Sequence, residues 1–392
     1  MVWIHRISLP AGFRTIPPMD FDLAPESDSE QDFRHLIVTG PNGSGKSSLL
    51  AALTGVLNED WFRTYEWMVD SSFWTLQLTD KQHLRVTFDP HWRDPEGTVN
   101  GGRSLLAYFP ARRDLVIRRA EGPIRLDLDD AKSRSFAELF LQFLVNQDYE
   151  RTYAKVDGDE PTYQRITTWF DTLLEHLRWL IEDPELELRY DRSQYNFTIR
   201  LSTGFEFDLT TLADGYASVL AILAELLMRV EACQRKVGDR SYQPSGVVLI
   251  DEVETHLHLR LQEQLLPLLT DLLPRVQFIV ATHSPAVIAS IDDAVVYDLG
   301  TRERTLSREF KGIRYGTLMT EHFGIESDID RESTAKLKRA RQLMAKSERS
   351  ADEERELTQL AEELGRRSAT LALELWNARE DSAETNDEED GQ

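Results

Sequence analysis

Gly40-Pro41-Asn42-Gly43-Ser44-Gly45-Lys46-Ser47 has the spacing G-x-x-x-x-G-K-[ST]. Glycines let a backbone curl until its N–H groups converge on one anion. A helix beginning at the end of such a loop adds its positive N-terminus, here at Ser47 and Ser48. Lys46 has the reach for the β- and γ-phosphates of ATP, and the Ser47 hydroxyl suits Mg²⁺. A flexible glycine turn is the alternative reading. The apolar run His35-Leu36-Ile37-Val38-Thr39 before the loop and the helical pattern after it favour phosphate binding.

Two further apolar runs end in reactive groups. Val247-Val248-Leu249-Ile250 leads into Asp251-Glu252. At the carboxyl end of a parallel strand, these acids stand beside the phosphate loop. Asp251 suits Mg²⁺, directly or through water, and Glu252 suits orienting and deprotonating an attacking water. The alternative is a pair of solvated acids. Phe278-Ile279-Val280-Ala281-Thr282 brings His283 to the same edge, where it could meet the γ-phosphate or the water, or simply cap a strand. His256 and His258 have a spacing open to metal, but no third ligand is evident and that reading is rejected.

The elements that must position these groups follow from periodicity. Trp3, Ile4 and Ile7 predict one N-terminal strand and Met19–Leu23 a second. Further strands are expected near Phe73–Leu78, Leu84–Phe88, Ser104–Phe109, Leu186–Tyr190, Tyr195–Leu201, Phe205–Leu209 and Ala294–Leu299. Helices are expected over Ser47–Leu57, Ser133–Tyr153, Tyr163–Ile181, Asp214 to Arg235 and Leu259–Leu269, with a loop at Asp157–Pro161. Alternating buried strands and helices imply an α/β fold with a mostly parallel sheet.

The chain has 392 residues and a net charge of -23. Its overall field therefore repels nucleic acid. One cysteine, Cys233, excludes an internal disulfide and fits a reducing compartment. No run is long enough to span a bilayer and the N-terminus lacks a secretion signal, so a cytoplasmic protein with no membrane partner is expected. Against the acidic background Arg103, Arg112, Arg113, Arg118, Arg119 and Arg125 form a local basic stretch. It could meet nucleic acid or an acidic partner, Arg112 could touch nucleotide phosphate, or the arginines could simply pair with nearby acids.

These residues together resemble ABC-type ATPases, in the SMC/RecF/OLD-like branch, and among those the ATPases of Septu and retron anti-phage systems. Gly12-Phe13-Arg14-Thr15-Ile16 is similar to the N-F-R-S-[FL] element of that branch. Asp251–His258 resembles its acidic pair and following loop, Ala281–Pro285 its switch-histidine segment, and Tyr108–Arg113 a strand-plus-arginine element. The resemblance implies nucleotide contacts from Arg14 and, in a second copy, from a signature segment. Here that segment reads Leu212-Ala213-Asp214-Gly215-Tyr216, where the family has L-S-G-G-Q. Ala213 removes the serine contact, whereas Gly215 and the helix N-terminus can still face an anion.

The expected architecture is an ABC-ATPase-type P-loop fold with an N-terminal antiparallel β element. Residues 1–130 form the lobe with the phosphate loop and 131–184 a helical subdomain. Residues 185–325 carry the signature segment, acidic pair and histidine, 326–380 a C-terminal helical region, and 381–392 an acidic tail expected to be disordered. The expected function is ATP-gated self-association controlling a separate effector, a nuclease by preference, in defence or a toxin–antitoxin module. No nuclease-like array is visible after residue 300. A RecF-like repair ATPase is the alternative, and a transporter subunit a third. Leucines and alanines at helical spacing over Asp330–Asn377 suggest a subunit or effector interface. Truncation after Gly324 is therefore expected to leave nucleotide binding intact and to disrupt assembly or partner binding, read by size measurement and effector pull-down.

Overall fold

The computed structural model describes residues 3–10, 12–25, 33–57, 68–70, 73–77, 85–88, 103–113, 117–126, 128, 136–209, 214–321, 330–344, 346 and 349–368. In chain order the strands and helices are β1 (Ile4–Leu9), β2 (Met19–Asp22), β3 (His35–Thr39), α1 (Lys46–Leu57), β4 (Met68–Asp70), β5 (Phe73–Gln77), β6 (Arg85–Phe88) and β7 (Leu105–Phe109). Then come α2 (Phe140–Asp157), α3 (Glu160–Ile181), β8 (Glu187–Asp191), β9 (Asn196–Arg200), β10 (Glu206–Asp208), α4 (Asp214–Val237), β11 (Gly246–Ile250) and α5 (Leu259–Leu272). The last are β12 (Val276–Ala281), α6 (Pro285–Ile288), β13 (Ala294–Asp298), β14 (Arg304–Leu306), α7 (Tyr315–Glu321), α8 (Arg331–Met344) and α9 (Ala351–Arg367).

The fold is α/β. Its central sheet runs β14-β13-β3-β12-β11-β7, with β14 antiparallel at one edge and the other five strands parallel. Every residue of β3, β11, β12 and β13 is buried. Parallel strands covered on both faces are apolar along most of their length, which is why these runs do not alternate. An antiparallel sheet ordered β2-β1-β6-β5-β4 lies N-terminal in character, and β10-β9-β8 form a small third sheet. One hydrophobic cluster joins Ile4, Ile7 and Phe21 of the antiparallel sheet, Leu49 and Leu53 of α1, and Leu36, Val247 and Ile279 of the central sheet. A second unites α2, α3, α4 and the third sheet through Phe143, Leu173, Phe197 and Leu220.

Gln277 fastens the first two sheets together. Fully buried in β12, it accepts from the Ile4 N–H at 2.8 Å and donates to the Ile4 and Arg34 carbonyls at 2.9 and 2.7 Å. Gln277→Leu keeps the volume but strands those three backbone groups. A loss of about 2–4 kcal/mol is expected, seen as a lowered midpoint in thermal or urea unfolding.

Several boundaries differ from the sequence reading. Only Gly158 and Asp159 separate α2 from α3, because Asp159 caps α3 by accepting from the Thr162 N–H at 3.2 Å and Pro161 fits the first helical turn. The expected helix start at Ser133 falls among residues outside those described; a 3₁₀ turn at Phe136–Leu139 leads into α2. Strands β4 and β14 were not anticipated. Compact units span Met1–Ile313 and Arg314–Gln392. Within the second, α8 and α9 pack through Leu337, Ala340 and Leu364, with Lys336–Glu363 and Arg339–Glu356 pairs at 2.8 Å each. The acidic tail, with Leu371, Leu373 and Trp376, lies outside the described residues. Among the described residues, no helix is long and apolar enough to cross a membrane.

Candidate nucleotide-binding site

The parallel register brings the ends of β7, β11, β12, β3 and β13 to one edge of the central sheet. Beyond the last paired residues, the Asp251 N–H donates to the Phe109 carbonyl at 2.8 Å, Thr282 to Val38 at 3.1 Å and Leu299 to Thr39 at 2.9 Å. The glycine loop leaves β3 at this edge. Gly40, Gly43 and Gly45 all have positive φ, and at Gly45 (φ 106°) a β-carbon would stand 2.6 Å from Ile16 Cγ1 and 2.8 Å from Thr15 Oγ1. Only glycine fits there. The close approach also explains how the N-terminal turn reaches the loop: Arg14, at φ 55°, donates from Nη1 to the Ser48 hydroxyl at 3.1 Å.

Lys46 is 5% exposed, and its Nζ donates to the Gly40 and Pro41 carbonyls at 2.9 and 3.1 Å. Burial pulls its ammonium below the usual lysine range, against the opposing charges of Glu254, Glu252, Asp251 and Asp298. The Ser44 N–H donates to the Pro41 carbonyl at 3.2 Å and closes the turn. Asn42 sits exposed at its tip.

Asp251 is buried beneath the loop. Burial lifts its carboxyl above the usual range; a hydrogen bond from Ser47 pulls it down, and Glu252 pushes it up. Its Oδ1 is buried with no hydrogen-bond partner. A buried, unsatisfied carboxylate oxygen beside a serine hydroxyl is a donor set suited to a hard divalent cation, so Ser47 and Asp251 fit Mg²⁺. Glu252 follows at φ 44°, in the left-handed region, and its Oε2 accepts from the Thr255 hydroxyl at 3.3 Å.

His283 lies at the end of β12, held by Glu254. The Glu254 carboxylate accepts from the His283 N–H at 2.5 Å and from the Thr282 hydroxyl at 2.8 Å. Burial, then the charge on Lys46, keeps the imidazole below its ordinary range, opposed by Glu254, Glu252 and Asp251. Sequence reasoning missed Glu254. It also missed Asp298, whose Oδ1 accepts from the Gly300 and Thr301 N–H groups and whose charge acts on Lys46. His258 caps α5, its Nδ1 accepting from the Leu261 N–H at 3.4 Å.

Helix α4 opens at Asp214, while Leu212 and Ala213 lie outside the described residues. At Gly215 a β-carbon would stand 2.8 Å from the His256 carbonyl oxygen, so the helix start packs on the turn that follows the acids. The basic stretch divides. Arg113 turns inward to the acidic pair, and Arg118 pairs with Glu138 at 2.7 Å. Arg103, Arg112, Arg119 and Arg125 are exposed. Arg113 therefore leaves the surface patch, because carbonyls at the strand edge offer it a better-fixed partner than solvent does.

A protein-family model described as "AAA domain, putative AbiEii toxin, Type IV TA system" matches residues 69–289, more than half of the chain. The chain belongs to this AAA-domain family. The family match begins after the glycine loop and takes in Arg113, the acidic pair and His283. This family member is similar to the Septu protein PtuA of Bacillus thuringiensis, 26% identical over 71% of this chain and 74% of that one. PtuA of Bacillus mycoides is 31% identical over 29% of this chain, and "Retron Ec83 probable ATPase" of Escherichia coli is 33% identical over 26%. Those two alignments span only 16% and 18% of the relatives' own lengths. The SMC head domain from Thermotoga maritima aligns with the family member over 77% of this chain and 97% of its own, at 18% identity and a TM-score of 0.35.

Proposed function

We propose that this chain binds ATP with Mg²⁺ and hydrolyses it, as a regulatory subunit in a bacterial anti-phage defence or toxin–antitoxin module. The observation that carries the reading is the convergence of Lys46, Ser47, Asp251, Glu252 and His283 at one sheet edge, with the Ser47 hydroxyl on Asp251 and the Asp251 Oδ1 left unsatisfied. In this reading the glycine loop, Lys46 and Ser48 bind and orient the phosphates, with Arg14 beside Ser48. Ser47 and Asp251 hold Mg²⁺, which when bound neutralises charge on the β- and γ-phosphates. Glu252 orients the attacking water and takes its proton on the carboxylate. His283 donates to the transferring phosphoryl group, and Glu254 fixes its backbone. Measuring phosphate release with MgATP, with and without a chelator, tests the reading; no chelator-sensitive release contradicts it.

His283→Ala is expected to lower kcat by about 10- to 100-fold with ATP affinity changed less than about threefold, because its contact develops with the transition state. Steady-state kinetics beside titration of a fluorescent ATP analogue reads both. Equal losses in binding and turnover would make the histidine structural.

The relatives' names support the defence setting. We further propose that ATP joins two copies, each lending the start of α4 around Asp214 and Gly215 to the other's nucleotide, and that a separate effector of nuclease type is thereby controlled. The amphipathic α8–α9 pair of the second unit is the element proposed to dock that effector. The exposed arginines at 103, 112, 119 and 125 keep a repair-type reading in play; ATPase activity stimulated by DNA in the isolated chain would favour it.

A further inference from the structure

Arg113 carries several well-defined contacts. Its Nη2 donates to the carbonyls of Asp251 and Glu252 at 2.8 and 2.6 Å. Its Nη1 donates to the Ser218 hydroxyl on α4 at 3.4 Å, and its Nε to the Pro110 carbonyl at 2.9 Å. A single planar guanidinium therefore fixes the end of β7, the turn bearing both acids, and the early part of α4 at once. Few side chains other than arginine offer that fork of donors in one rigid plane.

The turn it holds is strained. Glu252 sits at φ 44°, a conformation that costs a non-glycine residue free energy and persists only where the surroundings over-determine it. The Glu252 carbonyl accepts from Arg113 and also from the Thr255 N–H at 3.0 Å, so both its lone pairs are engaged. Rotating this peptide would break both bonds and swing the Glu252 side chain. The same turn touches α4 a second time, where Gly215 approaches the His256 carbonyl.

We propose that Arg113 is a positioning residue: it locks the backbone of Asp251 and Glu252 in the conformation that aims the Glu252 carboxylate, and through Ser218 it ties that conformation to the start of α4. The inference rests on the ATP-hydrolysis reading above. It assigns no phosphate contact to Arg113, four of whose five N–H donors are engaged by carbonyls and a hydroxyl. Misaiming a base by about an ångström costs about 100-fold in rate while leaving ground-state binding intact.

The test uses the full chain and its Arg113→Ala, Arg113→Lys, Glu252→Gln and Arg113→Ala/Glu252→Gln variants. Phosphate release gives kcat and fluorescent ATP-analogue titration gives affinity. Arg113→Ala should lose about 100-fold in kcat with affinity changed less than about threefold. Arg113→Lys, which can reach one carbonyl but not form the fork, should fall between Arg113→Ala and wild type. The double variant should turn over no more slowly than Glu252→Gln alone, because both changes disable one device. Wild-type turnover in Arg113→Ala, equal losses of binding and turnover, or additive losses in the double variant would overturn the inference. If circular dichroism finds Arg113→Ala unfolded, Arg113→Lys carries the same comparison, including its combination with Glu252→Gln. Turnover abolished by Glu252→Gln but untouched at Arg113 sinks this inference alone. Absence of turnover in the wild-type protein removes the hydrolysis reading and this inference with it.

Discussion

Lys46→Ala is expected to weaken ATP binding at least about 100-fold, the equivalent of about 3 kcal/mol lost when one partner of a buried charge pair is removed. The size of the effect follows from where the ammonium sits. Lys46 is almost wholly buried, and its Nζ already spans the loop between the Gly40 and Pro41 carbonyls. Burial makes the charge costly there, and nearby carboxylates of Glu254, Glu252 and Asp251 only partly offset that. A triphosphate would add further counter-charge beside this buried ammonium. Titration with a fluorescent ATP analogue, after circular dichroism has checked the fold, measures the loss. Unchanged affinity would mean that Gly40–Ser47 does not hold the nucleotide.

Glu252→Gln should do the reverse: ATP binds with near wild-type affinity while kcat falls by about two to four orders of magnitude, the range that removing a general base costs. The substitution keeps the side chain's shape and leaves the Thr255 hydroxyl a partner, so the strained turn is retained. Asp251, beneath the loop, is untouched and keeps its hydrogen bond from Ser47. ATP should therefore accumulate on the protein, and if ATP joins two copies, light scattering should show a larger particle with ATP than without. Full activity in this variant would exclude Glu252 as the base.

The parts of the site that sequence made legible are those whose chemistry requires contiguous residues. A phosphate loop must bring its glycines, lysine and serine in one stretch, and a parallel strand covered on both faces must be mostly apolar along its length, so β3, β11 and β12 announce both themselves and what they deliver. Arg113 could not be read in this way. Its partners are backbone carbonyls 138 and 139 residues away, which have no side-chain identity to recognise. Glu254 grips the N–H of His283, 29 residues on, and in the sequence is simply a third acid near two others. Gln277 reads as a polar lapse in a buried strand until Ile4 and Arg34 are seen around it. The early start of α3 lay in a signal that was present, Asp159 three residues before Thr162 with Pro161 between, but was outweighed by the polarity of the segment.

The central claim is that these groups form one Mg²⁺-dependent ATP-hydrolysing site with Glu252 as its base. Its most direct test is phosphate release by wild-type protein and Glu252→Gln, side by side, in saturating ATP with Mg²⁺ and with a chelator. The account predicts steady release by the wild type only with Mg²⁺, and release reduced at least about 100-fold in Glu252→Gln under the same conditions. Equal release by the two proteins, or release by the wild type that is indifferent to the chelator, would contradict it.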